Sequence, residues 1–175
     1  MNGHPGGEEH TRHMLELAAI PAGGRILDLG AGAGESLRLL RSLGYRAEGI
    51  DLVPRSREVQ QGDLLRAPYP AESFDGLLSQ CAFFLSGDVT AAFRESFRLL
   101  KPGGALLFSD VCFEEPVPLA EAAGFHVEAD EDLTSVWREY YLEALWRGAA
   151  EACGIRGKCA YRMLICRKDE DNGFV

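Results

Sequence analysis

An apolar strand that runs directly into alternating glycines is the feature that most constrains the fold. Residues 26–35 read Ile-Leu-Asp-Leu-Gly-Ala-Gly-Ala-Gly-Glu, and a helix-forming run follows them. Glycine is needed where the backbone turns tightly and approaches a ligand closely, because a Cβ would block both. The helix after such a loop directs its free N–H groups and the positive end of its dipole toward that ligand. The stretch therefore predicts a turn that cradles a cofactor, with an ordinary tight turn as the structural alternative.

The spacing of the glycines narrows the choice of cofactor. Dinucleotide-binding turns use Gly-x-Gly-x-x-Gly, and the third of these positions, counted from Gly30, is Glu35. The chain instead has Asp28 followed by Gly30, Gly32 and Gly34, an acidic-x-Gly-x-Gly-x-Gly pattern. This pattern resembles the first motif of class I methyltransferases that depend on S-adenosyl-L-methionine (SAM). NAD(P) is the alternative cofactor, and it fits the glycine spacing less well.

Length, charge and cysteine spacing exclude several classes of function. At 175 residues with 46% hydrophobic residues, the chain can bury one substantial core, which predicts a single domain. The formal net charge of −9 disfavours nucleic acid as a partner, because binding nucleic acid depends largely on neutralising phosphates. No apolar run approaches the roughly 18 residues of a membrane span, and the cysteines lack metal-binding spacing. We therefore expect a cytoplasmic protein with reduced thiols and with no metal, membrane or nucleic-acid partner.

Strands and helices alternate along most of the chain. Strands are predicted at 25–29, 46–51, 58–61, 74–79, 105–111, 125–129 and 160–167. Helices are predicted at 8–19, 36–42, 89–100, 119–123 and 133–145, the last as an amphipathic helix packed on a sheet face. This alternation indicates an α/β fold with a doubly wound, Rossmann-like sheet. Residues 1–24 would form an N-terminal loop and helix, 25–168 the cofactor-binding domain, and 169–175 a flexible tail.

Further motifs extend the resemblance over nearly the whole chain. Asp51 closes the second strand, where an acid can accept hydrogen bonds from both ribose hydroxyls. The stretches 62–64 (Gly-Asp-Leu), 67–75 (Ala-Pro-Tyr-Pro-Ala-Glu-Ser-Phe-Asp) and 99–104 (Leu-Leu-Lys-Pro-Gly-Gly) are similar to motifs of the UbiE, or type 11, methyltransferases. The resemblance implies seven strands in the order 3-2-1-4-5-7-6, with the last strand antiparallel.

The resemblance also implies a set of cofactor-binding residues. In that family, the Asp of the Gly-Asp pair accepts a hydrogen bond from the adenine amino group, and the next backbone amide meets the ring. These roles carry over to Asp63 and Leu64. The residues expected to bind SAM are Asp28, Gly30, Ala31, Gly32, Gly34, Asp51, Leu52, Gly62, Asp63, Leu64, Ser79 and Gln80.

The acceptor of the methyl group is not identified by any motif. Enzymes that methylate amino groups of DNA or glutamine carry Asn/Asp-Pro-Pro-Tyr after strand four, whereas residues 79–85 here read Ser-Gln-Cys-Ala-Phe-Phe-Leu. O-, N-, S- and C-methylation of a small molecule all stay open. No catalytic residue is assigned, because SAM is already activated and alignment of the reactants can suffice. The alternative function is a SAM-binding regulatory module that is inactive or needs a partner, and homodimerisation could complete an acceptor pocket.

The N-terminal segment is the candidate for covering the site. Residues 2–13 are rich in glycine and polar groups, as is typical of a mobile loop. A histidine there could act as a general base near neutral pH. The alternative is a frayed terminus without a role. Residues expected to line the acceptor pocket or the lid are His4, Gly6, Gly7, Arg12, Cys81, Phe84 and Phe113.

Overall fold

The computed structural model describes residues 4–146 and 159–170, which form one sheet with helices on both faces. The strands are β1 Arg25–Leu29, β2 Arg46–Asp51, β3 Gln60–Gln61, β4 Phe74–Gln80, β5 Leu100–Cys112, β6 His126–Asp132 and β7 Ala160–Arg167. The helices are α1 Gly7–Ala18, α2 Glu35–Ser42, α3 Val89–Leu99, α4 Pro116–Ala122 and α5 Thr134–Trp146. The sheet order is β3-β2-β1-β4-β5-β7-β6, and β7 is antiparallel to both of its neighbours. The predicted fold class, strand order and antiparallel last strand are confirmed.

The central strands are buried because helices cover both faces of the sheet. On one face, Leu27 packs in a cluster that includes Phe93 of α3. On the other face, Ile26 packs with Met14 of α1 and Leu37 of α2. A parallel strand covered in this way reads as a continuous apolar run, which is how β1 was recognised in the sequence.

Three elements differ from the sequence-based prediction. The third strand is limited to Gln60–Gln61, at the exposed edge of the sheet. Residues 102–104 continue β5 rather than interrupting the chain, and β5 reaches Cys112. Helix α4 begins at Pro116 instead of 119, because proline has no N–H to leave unpaired in the first helical turn. The sequence analysis thus treated proline and glycine too strictly as residues that interrupt secondary structure.

Helix α5 also differs from the prediction that it packs on a sheet face. None of its described side chains is fully buried, and its half-buried positions include Trp137, Tyr140 and Tyr141. The helix starts beside the first residues of β7, where the Thr134 hydroxyl accepts a hydrogen bond from the Tyr161 amide at 3.0 Å. Since β7 is antiparallel, this is the edge at which the parallel strands end. Helix α5 therefore extends from the edge that carries the candidate site.

Other predictions concern the tail and the solvent environment. Most of the predicted flexible tail, 171–175, and Cys153 lie outside the described residues. Within the described residues, no helix is both long enough and apolar enough to span a bilayer.

Candidate cofactor and acceptor site

The loop between β1 and α2 depends on the absence of side chains at two glycines. Gly30 has a φ of 83°, and a Cβ on it would collide with the Cβ of Ala82 in the turn after β4. Gly32 has a φ of 52°, and a Cβ there would lie 2.5 Å from Nη2 of Arg55. Gly30 therefore combines a left-handed backbone with a close approach that leaves no room for a Cβ. At Gly32 the left-handed backbone is the main constraint, and the flexible end of Arg55 would have to move to admit a side chain.

Asp51 ends β2 beside this loop, and its carboxylate is held by two backbone donors. The amide of Gly32 donates to Oδ2 and the amide of Val53 to Oδ1, each at 2.9 Å. Because each carboxylate oxygen has two lone pairs, both oxygens retain capacity for a ligand hydroxyl. The geometry thus presents a positioned hydrogen-bond acceptor to the adjoining cavity.

That cavity, which we call the cofactor cavity, has a volume of about 320 Å³. Its lining residues are Gly30, Asp51, Leu52, Arg55, Gly62, Asp63, Leu64, Gln80, Cys81, Ala82, Leu85 and Ser86. Eight of these twelve were expected at the cofactor or acceptor site from the sequence. Ala82 and Leu85 lie in the stretch 79–85 after strand four but were not in the expected set. Arg55 and Ser86 were missed, because no motif marks them.

Some expected cofactor residues lie outside the cavity. Ser79 is fully buried, its hydroxyl has no hydrogen-bond partner among the described residues, and it is not among the residues that line the cavity. The side chains of neighbouring residues in a strand point to opposite faces, and here Gln80 takes the open face. Ala31 is buried, and its amide bonds to the Ile50 carbonyl at 3.0 Å. Gly34 lies at the start of α2, with its amide bonded to the Ala31 carbonyl at 2.7 Å.

Asp28 is a buried acid at the base of the glycine loop. It is 4% exposed, and no hydrogen bond from a described residue reaches its carboxyl group. Burial raises its pKa to about 7, and the negative charge of Asp51 adds to the effect. A buried acid without a partner is costly when charged, and the raised pKa leaves Asp28 partly protonated near pH 7. Asp28 is not among the residues that line the cofactor cavity.

The side chain of Gln80 joins the cofactor cavity to the N-terminal segment. Its Oε1 accepts hydrogen bonds from the hydroxyls of Thr11, at 3.3 Å, and Ser36, at 3.2 Å. Its Nε2 lies 3.3 Å from Nδ1 of His4. Burial lowers the pKa of His4, so its ring is neutral near pH 7. Through these contacts the first residues of the described chain are fixed beside the glycine loop.

The remaining residues expected at the acceptor or lid are divided among separate surfaces. His4 and Arg12 line a cavity of about 380 Å³ between α1 and α2, and Gly7 is buried in the first turn of α1. Phe84 and Phe113 line a different cavity, of about 330 Å³, whose wall includes the buried Asp110. The structure therefore does not bring these two phenylalanines together with the N-terminal residues.

A buried chain of polar groups, which was not anticipated from the sequence, lies behind Cys81. Nε2 of His10 is 2.9 Å from the Ser109 hydroxyl, and that hydroxyl donates to Oη of Tyr161 at 2.9 Å. Oη of Tyr161 is in turn 3.3 Å from Sγ of Cys81. Burial raises the pKa of Cys81 to about 12, so the thiol stays protonated. The members are separated by 52 to 99 residues, and no local sequence pattern could have indicated them.

Comparison with known proteins agrees with this geometry. The model of the family described as "Methyltransferase domain" matches residues 27–108, the region from β1 to β5 that contains the glycine loop, Asp51 and the cofactor cavity. The chain belongs to the type 11 group of class I, SAM-dependent methyltransferases. The resemblance inferred from the sequence motifs is therefore confirmed.

Individual relatives show how far the similarity extends. Phosphoethanolamine N-methyltransferase 1 of Arabidopsis thaliana is 30% identical over 146 residues, covering 75% of this chain. This chain spans only 30% of that relative's length. A Haemonchus contortus phosphoethanolamine N-methyltransferase 2 solved with SAM has a TM-score of 0.73 at 18% identity, over 95% of this chain and 54% of that one. The structure of the [4+2]-cyclase SpnF has a TM-score of 0.76 at 23% identity, over 93% of this chain and 80% of that one. These structural likenesses establish the fold, which also serves a cyclase.

Proposed function

We propose that this methyltransferase uses SAM to methylate a small-molecule acceptor. The observation that carries the proposal is the cofactor cavity, which Asp51 and Asp63 line together with Gly30 of the glycine loop, where the lack of a side chain lets a ligand approach the backbone. SAM supplies an activated methyl group when bound. The protein's contribution is to hold the cofactor and acceptor in line and to exclude water.

The residues present fit SAM as a ligand. The free lone pairs of Asp51 suit the two ribose hydroxyls, and Asp63 with Leu64 lines the part of the cavity expected to take adenine. SAM carries two positive centres, a sulfonium and an ammonium group. The buried carboxyl of Asp28, which no described group neutralises, suits such a cation.

The N-terminal segment would close the site. Support comes from the contacts of His4 and Thr11 with Gln80, which lines the cofactor cavity. A variant lacking residues 1–10 should bind SAM more weakly, because the contact of His4 with Gln80 and the cover over the glycine loop are lost. Calorimetric titration with SAM measures the effect. Unchanged affinity, together with unchanged solvent protection of the bound cofactor, would contradict the lid.

A non-catalytic SAM-binding module is the second candidate. The similarity of the fold to that of SpnF supports this second candidate, since a protein with this fold can have a function other than methyl transfer. The small size of the cavities argues for a metabolite rather than a macromolecule as acceptor.

Two measurements on the purified protein test the proposal. Calorimetry with SAM and S-adenosylhomocysteine should show saturable binding of both. A panel of small amines, alcohols, thiols and carbon acids, assayed for S-adenosylhomocysteine release, should then contain an acceptor that is turned over. Failure to bind SAM would refute the proposal, and binding without turnover over a wide panel would favour the module.

A further inference from the structure

A separate cavity, the α1–α5 cleft, lies between the start of α1 and the start of α5. Its volume is about 320 Å³, which is within the size range of sites for small metabolites. The cleft is lined by Pro5, Gly6, Glu9, His10, His13, Glu131, Leu133, Val136 and Tyr161. Most of these residues come from α1, β6, α5 and β7, so the cleft exists only in the folded chain.

The cleft is close to the cofactor cavity. Tyr161 lines the cleft, and its hydroxyl is 3.3 Å from Sγ of Cys81, which lines the cofactor cavity. Farther along α5, burial raises the pKa of Tyr140, with smaller contributions from Cys81 and Glu35, so this part of the helix also lies near Cys81. The contact between Tyr161 and Cys81 is therefore a wall between the two cavities, and it places the cleft next to the cofactor cavity.

The hydrogen-bond chain behind the cleft determines which nitrogen of His10 is able to accept a hydrogen bond. The Ser109 hydroxyl donates its proton to Tyr161, so its oxygen accepts from Nε2 of His10 at 2.9 Å. Nε2 therefore carries the ring proton, and Nδ1 presents a lone pair. His10 is 8% exposed, and no described residue forms a hydrogen bond with Nδ1. Burial lowers the pKa of His10 to about 4, which keeps the ring neutral near pH 7.

The charges of the cleft favour a cation. Glu9 and Glu131 contribute two carboxylates, and no lysine or arginine is among the described lining residues. Among those residues, the donor directed at these acids is Nε2 of His13, 3.0 Å from Oε1 of Glu131. Two carboxylates and the lone pair of His10 are hydrogen-bond acceptors, so a matching ligand must supply N–H donors and positive charge.

We propose that the α1–α5 cleft binds the methyl acceptor, and that this acceptor is a small amine held by Glu9, Glu131 and Nδ1 of His10. Leu133 and Val136 would contact its carbon skeleton. Before the transfer, the bound ammonium group loses one N–H proton to water in the cleft, which frees its lone pair. That lone pair then forms the new N–CH₃ bond, and the electron pair of the S–CH₃ bond returns to sulfur. The catalytic part of this inference rests on the function proposed above.

Binding is tested with three probes of matched size on the protein saturated with S-adenosylhomocysteine. Butylamine, butanol and butyrate are titrated while the imidazole NMR signals of His10 and His13 are followed. Butylamine should shift these signals saturably, whereas butanol and butyrate should not. Equal responses to the three probes would overturn the proposal.

Charge-neutral variants test the two carboxylates. Glu9→Gln and Glu131→Gln should each weaken butylamine binding at least fivefold. Glu16→Gln is the matched control, since Glu16 is also on α1 but lines a different surface cavity. An undiminished response in both cleft variants, or the same loss in the control, would contradict the assignment.

A turnover assay distinguishes failure of this inference from failure of the proposed function. Release of S-adenosylhomocysteine should be seen with primary amines and should fall in Glu131→Gln through a raised KM. Turnover restricted to alcohols or acids would refute the amine while leaving the methyltransferase function intact. If SAM does not bind at all, the proposed function fails, and a butylamine titration of the protein without S-adenosylhomocysteine decides whether the cleft binds amines.

Discussion

Replacing Asp28 with asparagine should have opposite effects on folding and on cofactor binding. The wild-type carboxyl is buried beside the glycine loop, and its pKa is raised from 3.8 to about 7. In the unfolded chain the same group has an ordinary pKa near 4. The folded protein therefore binds this proton more tightly than the unfolded chain, and folding loses stability as the pH rises from about 4 to about 7.

The magnitude follows from the difference between the two pKa values. At about 1.4 kcal/mol per pH unit, a rise from 3.8 to about 7 corresponds to roughly 4 kcal/mol as an upper limit. The asparagine side chain of the Asp28→Asn variant cannot ionise and escapes this loss, although its buried amide costs about 1–3 kcal/mol of its own if unpaired. The decisive quantity is therefore how the stability difference between variant and wild type changes with pH.

Chemical denaturation at pH 4.5 and at pH 8 measures that change. Asp28→Asn should gain stability relative to wild type by a few kcal/mol between the two pH values. Other carboxyl groups titrate in both proteins and cancel from the comparison. Asp169→Asn, an exposed site near the end of the described chain, is the control and should show no such gain.

The Asp28→Asn substitution should weaken cofactor binding at high pH, in contrast to its stabilising effect on folding. A bound cation favours the charged carboxylate, so wild-type affinity for SAM should rise as the pH passes through about 7. Asp28→Asn should bind SAM more weakly at pH 8 and lack this rise. A stability difference that does not change with pH would refute the raised pKa, and native SAM affinity in the variant would remove Asp28 from the site.

Three further predictions address the cofactor cavity. Asp51→Ala should weaken SAM binding by about 1.5–3 kcal/mol for each charge-assisted hydrogen bond lost, as measured by calorimetry; native affinity would mean that the ribose is held elsewhere. Gly32→Val should abolish SAM binding, whereas Gly23→Val, which also has a positive φ but no neighbour within 4 Å, should retain it. Wild-type protein should prefer SAM over its hypoxanthine analogue, because Asp63 would face a carbonyl instead of the adenine amino group. Equal affinity for the two would exclude Asp63 from that role.

Local motifs identified the part of the site that is continuous in sequence. The residues that turn the chain at the ends of β1 and β2 were found because glycine and aspartate are needed there whatever packs around them. Gly30 and Asp51 accordingly line the cofactor cavity. Ser79 shows the limit of this reasoning, because its neighbour Gln80 faces the open side and the pleat buries Ser79.

Arg55 and helix α5 illustrate information that the sequence patterns did not carry. Arg55 lies over Gly32 because its own amide bonds to the Gly32 carbonyl at 2.9 Å, a contact that depends on the path of the whole segment after β2. The pattern of α5 indicated an amphipathic helix but not what its apolar side would meet. The structure places the start of the helix at the edge of the sheet rather than on its face.

The sequence by itself determined the fold class and the position of the cofactor loop, because these depend on local periodicity and on backbone conformations that few residues can adopt. The strand order followed from the resemblance of the motifs to type 11 methyltransferases. Only the tertiary structure decided which side chains meet at the cleft. His10, Ser109 and Tyr161 form one hydrogen-bonded chain because α1, β5 and β7 converge at the end of the sheet. Contacts between residues so distant in sequence arise from packing, and a linear pattern contains no record of them.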